Sequence, residues 1–461
     1  MKKLQALFYF SLFIFNFQLC LAQEWCWGKE GKVNIKANDY CAPVATNRLG
    51  NAYITGQFEN VIIFGNDTLF DNADNTYIVK YSQTGQVLWA KNPKSIGGAH
   101  SFGYAIASDA GDNSYITGGF SDTIIFGTDT LINNLSTIGF FVKYSPTGQV
   151  LWAKNHYGVS LTIDKHGSIC LATYDSLIKF HPNGTVFMHV RSNVNYSNSA
   201  ITTDSAVNIY ATGFIDTNGG SSASRVPYIA KYDSSGNFLW ERNARIPSFQ
   251  SISYGNSVIT DREGNAYITG YFQDTLCFGK DTLISPVYPW DSMNPAYALF
   301  LAKYNSNGKL LWAKQTKGKC PWRGTSLSKD ENDFIYLGGS GINDDTLSFG
   351  GHILTFPSRC SASFFLKLDT AGNFVDGAIL KDGNFPYDPE DFNNEIAVDS
   401  SGSYCYLTGS FQNDTIFCGP DTLFDGVGQA GYIAKWNFGQ CYFIDKTAPI
   451  SSPISNQLAC F

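Results

Sequence analysis

The stretch GNAYITG, Gly50 to Gly56, returns unchanged at Gly264 to Gly270. Looser copies are DNSYITG ending at Gly118, VNIYATG ending at Gly213, FIYLGG ending at Gly339 and YCYLTG ending at Gly409. Their tyrosines, Tyr53, Tyr115, Tyr210, Tyr267, Tyr336 and Tyr406, are separated by 62, 95, 57, 69 and 70 residues. The long gap hides a degraded copy, GSICLAT at Gly167 to Thr173, which puts Cys170 at the Tyr place. The sequence therefore predicts seven units.

Each unit carries four short alternating segments in one order. In the second, GYAIASD from Gly103 leads through a Gly-Asp turn into NSYITGGF, and GFFVKYSPTG turns at Gly148 into QVLWAKN. These read as strands A to D joined by turn chemistry. The C to D turn recurs as SQTG, SPTG, HPNG, DSSG, NSNG and DTAG, always ending on the residue that tolerates positive φ. Repeated four-stranded antiparallel units predict an all-β chain, a seven-bladed β-propeller. A solenoid would need parallel coils without two tight hairpins per repeat.

Composition agrees. Of 461 residues 44% are hydrophobic and 15% aromatic, with 44 Gly and only 3 Met, which is strand and turn usage. Lys2 and Lys3 precede an apolar run from Leu4 to Leu21, so residues 1–22 read as a signal peptide. Residues 23–445 read as the propeller and 446–461 as a linker-like tail. No other stretch is apolar enough to span a bilayer. The formal net charge of −7 becomes −9 once the two lysines are removed, and an acidic, unclustered surface argues against nucleic acid. Ten of the 11 cysteines would remain after loss of Cys20, none in a spacing that suggests zinc.

A propeller has to hide the edge between its first and last blades. CWGK at Cys26 to Lys29 matches the LWAK of strand D, and Trp27 precedes Tyr53 by the 26 residues that separate Trp89 from Tyr115. The N-terminal segment is thus expected to close the last blade. The seventh unit also offers GQCYFI, Gly439 to Ile444, as its own strand D. The two termini are expected side by side there, with Cys26 and Cys441 as a disulfide candidate. Trp27, Trp89, Trp152, Trp240 and Trp312 are expected to serve packing.

The pattern DxxGNxYITGxF, FGxDTL and KYxxxGxxLWAK resembles the SBBP-type β-propeller repeats of exported proteins from gliding, type IX-secreting bacteria, over about residues 25–445. The resemblance implies a fold and a secreted or outer-surface location. It supplies no catalytic residues, and the C-terminal sorting domain many such proteins carry is not in this sequence.

Strand order puts the A–B and C–D turns on one face and the longer B–C and D–A connections on the other. Rigid scaffolds carry binding surfaces on such loops. Candidate ligand residues there are Tyr288, Trp290, Asp291, Trp322, Arg323, Phe385, Tyr387, Asp388 and Asp391. Aromatics beside charges suit a glycan or a protein hot spot, and equally the pinning of long loops. Each FGxDTL segment offers one carboxylate, too few for calcium, so its Asp is expected to hold its own turn. The six His form no HExxH, and no G-x-S-x-G elbow or P-loop occurs. The reading is a non-catalytic exported binding module for an extracellular protein or glycan, with no cofactor and no metal. The alternatives are a carbohydrate-active enzyme using carboxylates on the loop face and a structural segment of a larger adhesin.

Overall fold

In a computed structural model the described residues are 19–20, 24–33, 40–133, 139–192, 196–217, 224–247, 251–288, 291–317, 321–342, 346–355, 361–381, 394–412, 415–424, 429–438 and 441–442. All regular structure among them is β, without a helix. Seven antiparallel sheets of four strands follow one another. Sheet 1 is built from Tyr40–Thr46, Ala52–Phe58, Asn75–Tyr81 and Val87–Lys91 as strands A to D. Sheets 2 to 6 repeat that order over residues 101–154, 160–191, 196–243, 253–315 and 322–381.

Sheet 7 takes strands A to C from Glu395–Val398, Tyr404–Gln412 and Gln429–Asn437. Its outer strand is Glu24–Glu30 from the N-terminus, with Trp27 opposite Lys435 and Gly28 opposite Ala434. Of the C-terminal segment expected to share this sheet, the described residues do not join it. Cys441–Tyr442 pairs instead with Leu19–Cys20, which puts Cys441 opposite Cys20. Cys26 falls at the register shift between Trp25 and Trp27 and packs against the core of sheets 1 and 7. One strand position exists and the segment carrying Trp27 fills it.

The repeated motif marks the inner strands. Tyr53, Tyr115, Tyr210, Tyr267, Tyr336 and Tyr406 are all fully buried, as is Cys170 in their place in sheet 3. Strands B and C are buried on both faces, so Ala298–Tyr304 is buried at every position. Strand D meets solvent and alternates: Leu88, Leu151, Leu239 and Leu311 are exposed beside the tryptophan that follows each.

Sheet 3 is the shortest because its B and C strands are joined by a three-residue turn, Thr173–Asp175, where sheets 1, 2, 5, 6 and 7 insert a two-stranded hairpin. Sheet 4 also has no such hairpin among the described residues.

Candidate functional site

One face is built from the tight turns, and its chemistry is spent on joining sheets. In sheet 5 the Tyr267 hydroxyl donates to Asp261 of the A–B turn at 3.1 Å, and Lys303 from strand C pairs with the same carboxylate at 3.4 Å. Lys303 also donates to the Thr370 carbonyl of the next sheet. Lys80 and Trp89 of sheet 1 both donate to the Pro146 carbonyl of sheet 2, at 3.2 and 3.0 Å. Lys231 and Trp240 do the same to Ser306. Each accepting carbonyl lies two residues before a turn glycine, over which the tryptophan ring lies. A Cβ on Gly148 would meet Trp89 at 2.8 Å, and one on Gly308 would meet Trp240 at 2.7 Å. The glycine is required twice, for positive φ and for the ring above it. Trp27 and Trp89 are buried, whereas Trp152, Trp240 and Trp312 are half-buried.

The FGxDTL aspartates do not hold their own turns as expected. Their carboxylates accept the outward N–H of strand D: Asp67 from Ala90 at 2.8 Å, Asp129 from Ala153 at 2.7 Å, Asp281 from Ala313 at 3.2 Å and Asp421 from Gly28 at 3.2 Å. A strand edge left open is a pairing hazard, and each hairpin covers one.

A channel with a cavity of about 310 Å³ is lined by strand A of all seven sheets. Hydroxyls bridge adjacent A strands: Ser257 accepts from Leu327 N–H at 3.0 Å and Ser328 from Val398 N–H at 3.2 Å. Where sheet 7 meets sheet 1, Glu395 takes that role and accepts from Val44 N–H. It is the one carboxylate among the described residues of the channel wall. Enclosure by protein pushes its pKa up to about 7. No cluster of three or more His, Cys, Asp or Glu able to hold a metal occurs among the described residues.

At the mouth on the long-loop face, register shifts in strand A turn Tyr104, Ser199, Asn256 and Thr325 into the channel wall, the use to which bulges beside binding sites are put. Aromatic arcs lie at the same end of the sheets. Phe214, Tyr254, Tyr271 and Tyr297 follow one another at centroid distances of 4.9, 5.1 and 5.2 Å. Arg225 stacks on Phe214 and Tyr254 and hydrogen-bonds the Tyr254 hydroxyl, while Asp216 accepts from its Nε at 3.1 Å. Arg323 lies 4.7 and 4.6 Å from the Tyr271 and Tyr297 rings. In sheets 2 and 3, Phe102, Tyr104, Tyr157 and Tyr174 form a second arc. Burial pushes the Tyr104 hydroxyl up to about 12, with Tyr174 adding to it. Tyr174 is 54% exposed.

Of the candidates named from sequence, only Trp322 and Arg323 have described side chains. Trp322 is buried against Phe364 in the core, and its neighbour Arg323 joins the arc. Tyr288 and Asp291 form a short backbone pair, and their side chains lie outside the described residues. So do Trp290, Phe385, Tyr387, Asp388, Asp391 and the Cys441 side chain. The arc residues Phe214, Tyr254 and Tyr271 were missed. A signal existed at the place directly after the YITG glycine, which reads Gln57, Gly119, Phe214, Tyr271, Ser340 and Ser410 within an otherwise repeated motif.

No family model matches the chain. It is 24% identical over 360 residues to an uncharacterized WD repeat-containing protein of Acanthamoeba polyphaga mimivirus, covering 66% of this chain and 24% of that protein. The chain thus spans about a quarter of that relative. Among solved structures, the RRP9 WD40 repeats are similar at 8% identity and a TM-score of 0.48, over 91% of this chain and all of that one. The Neurospora crassa Pan2 WD40 domain is similar at 10% identity and a TM-score of 0.43, covering 87% and 90%. Virginiamycin B lyase from Staphylococcus aureus is similar at 9% and 0.41, covering 88% and 98%. By its own strands the chain is an all-β repeat protein of successive four-stranded antiparallel sheets.

Proposed function

We propose that the seven sheets are the blades of one closed ring, sealed by the N-terminal strand as outer strand of the last blade. Support comes from the junction of sheets 7 and 1, which repeats bonds made at internal junctions. Lys435 and Trp27 both donate to the Gln83 carbonyl, at 2.8 and 3.1 Å, as Lys80 and Trp89 do to Pro146. Thr46 donates to the Val398 carbonyl at 2.8 Å. After strand D the chain pairs with the hairpin of the following sheet, at Lys32–Val33 as at Lys94–Ile96.

The ring acts as a non-catalytic binding module of an exported, SBBP-like surface protein, and its ligand is a glycan or a protein taken at the channel mouth. The observation that carries this is the arc of half-buried rings Phe214, Tyr254, Tyr271 and Tyr297 with two guanidinium groups stacked into it.

A glycan array and a display library of extracellular protein domains, both probed with residues 23–461, test the reading. Binders are expected that lose affinity in Tyr254→Ala and Tyr271→Ala at unchanged thermal midpoint. Binders indifferent to both substitutions would overturn the site.

A further inference from the structure

The outer edge of sheet 3 differs from its siblings in one respect that bears on partners. In sheets 1, 2, 5 and 7 an aspartate accepts the outward N–H of strand D. Sheet 6 keeps a hairpin but has His352 at that place, stacked on Phe374. Sheet 3 has no hairpin. Its strand D, Val186–Arg191, sets His189 opposite Ile178 in the register that Ala90 holds opposite Val79 in sheet 1. The His189 N–H therefore points outward, and among the described residues nothing accepts it.

That strand presents an extended backbone flanked by apolar and basic groups. Val186 is 46% and Phe187 44% exposed, with the His181 ring stacked on Phe187 at 4.3 Å. His189 is exposed, and Arg191 reaches solvent with only a loose pair to Asp175 at 3.4 Å. No carboxylate belongs to the strand itself. Sheet 4 also lacks a hairpin, but Glu241 occupies the matching place opposite Ala230 and would repel an incoming acid.

We propose that the outer edge of sheet 3 is a strand-addition site for an extended acidic segment of a partner protein, one carboxylate of which takes the place at His189 N–H. An unpaired edge selects an extended backbone as its occupant. Four sibling edges accept a carboxylate at this very amide, and the Arg191 guanidinium two residues on adds charge complementarity. The site lies on the outer rim and is independent of the channel mouth.

The test is selection of short random peptides displayed on phage against residues 23–461. Enriched sequences should alternate apolar and acidic residues, and a selected peptide should slow hydrogen exchange of the His189 amide. His189→Pro removes the outward N–H, a replacement edge strands tolerate. Arg191→Glu reverses the flank without touching the backbone. Each should weaken the peptide by roughly tenfold or more, while Tyr254→Ala leaves it unchanged. Absence of enrichment, or peptides that bind both variants at full strength, would overturn the proposal. So would concentration-dependent dimers that His189→Pro abolishes, since the edge would then belong to a second copy of the chain.

Discussion

The Tyr406 hydroxyl donates a 2.6 Å hydrogen bond to the backbone carbonyl of Gly50, 356 positions away in the chain. Tyr210 makes the equivalent bond to Gly264 at 3.0 Å, between sheets adjacent in sequence. The same bond thus serves a local junction and the one that brings the two ends of the chain together. The stability of the fold then rests in part on contacts between the two ends of the chain, which close a very long loop.

Trp27→Ala should consequently cost about as much as Trp89→Ala, on the order of 3 to 5 kcal/mol in urea unfolding. Both rings are 6% exposed, and each donates its N–H to a neighbouring turn. Deleting residues 23–33 should lower the thermal midpoint further and promote aggregation through the bared edge. A truncated protein that melts with the intact one would refute closure by this strand.

Gly308→Ala and Gly98→Ala separate strain from clash. Both glycines have positive φ, 76° and 79°, but a Cβ on Gly308 meets the Trp240 ring whereas one on Gly98 meets nothing within 4 Å. The backbone term of about 1 to 2 kcal/mol is shared. Gly308→Ala should exceed Gly98→Ala by roughly 1 to 3 kcal/mol of overpacking, read from paired denaturation curves. Equal costs would remove the ring-on-glycine packing as a reason for the repeated turn.

Asp129→Asn should weaken the cover on strand D of sheet 2. The carboxylate accepts the Ala153 N–H at 2.7 Å, a charge-assisted bond worth about 1.5 to 3 kcal/mol locally. The readout is faster hydrogen exchange at the Ala153 amide with little change at Ala90. Unchanged exchange at Ala153 would return the aspartate to a turn-holding role.

The Glu395 carboxyl, with its pKa raised to about 7 in the folded chain, gives a signed pH dependence. The unfolded carboxyl ionises near its ordinary value, so the folded state binds the extra proton between the two. Its contribution is fully present below about pH 4.3 and is lost as pH rises through 7. Glu395→Gln should remove that loss. Relative to the parent it should gain on the order of 1 to 3 kcal/mol between pH 5 and pH 9, since the channel leaves the group partly hydrated. Parallel stability curves for the two proteins would show that the carboxyl is not held protonated.

The sequence determined the repeat, and with it the strand type, the antiparallel order and the turn glycines. Those are consequences of nearest neighbours along the chain, where alternation and positive φ leave a direct imprint. It also marked Trp27 as a displaced strand D, because a residue fitted to a repeated place keeps that place's motif. Only the tertiary structure decided what the motif's side chains do. The FGxDTL aspartate is a turn former by local chemistry, yet its partner is an amide more than 20 residues on in Ala90 and nearly 400 back in Gly28. The aromatic arc was hidden for the same reason. Phe214 comes from sheet 4, Tyr254 and Tyr271 from strands A and B of sheet 5 and Tyr297 from the residue before its strand C, and ring contacts near 5 Å depend on how strands and sheets pack, which no spacing along one strand encodes.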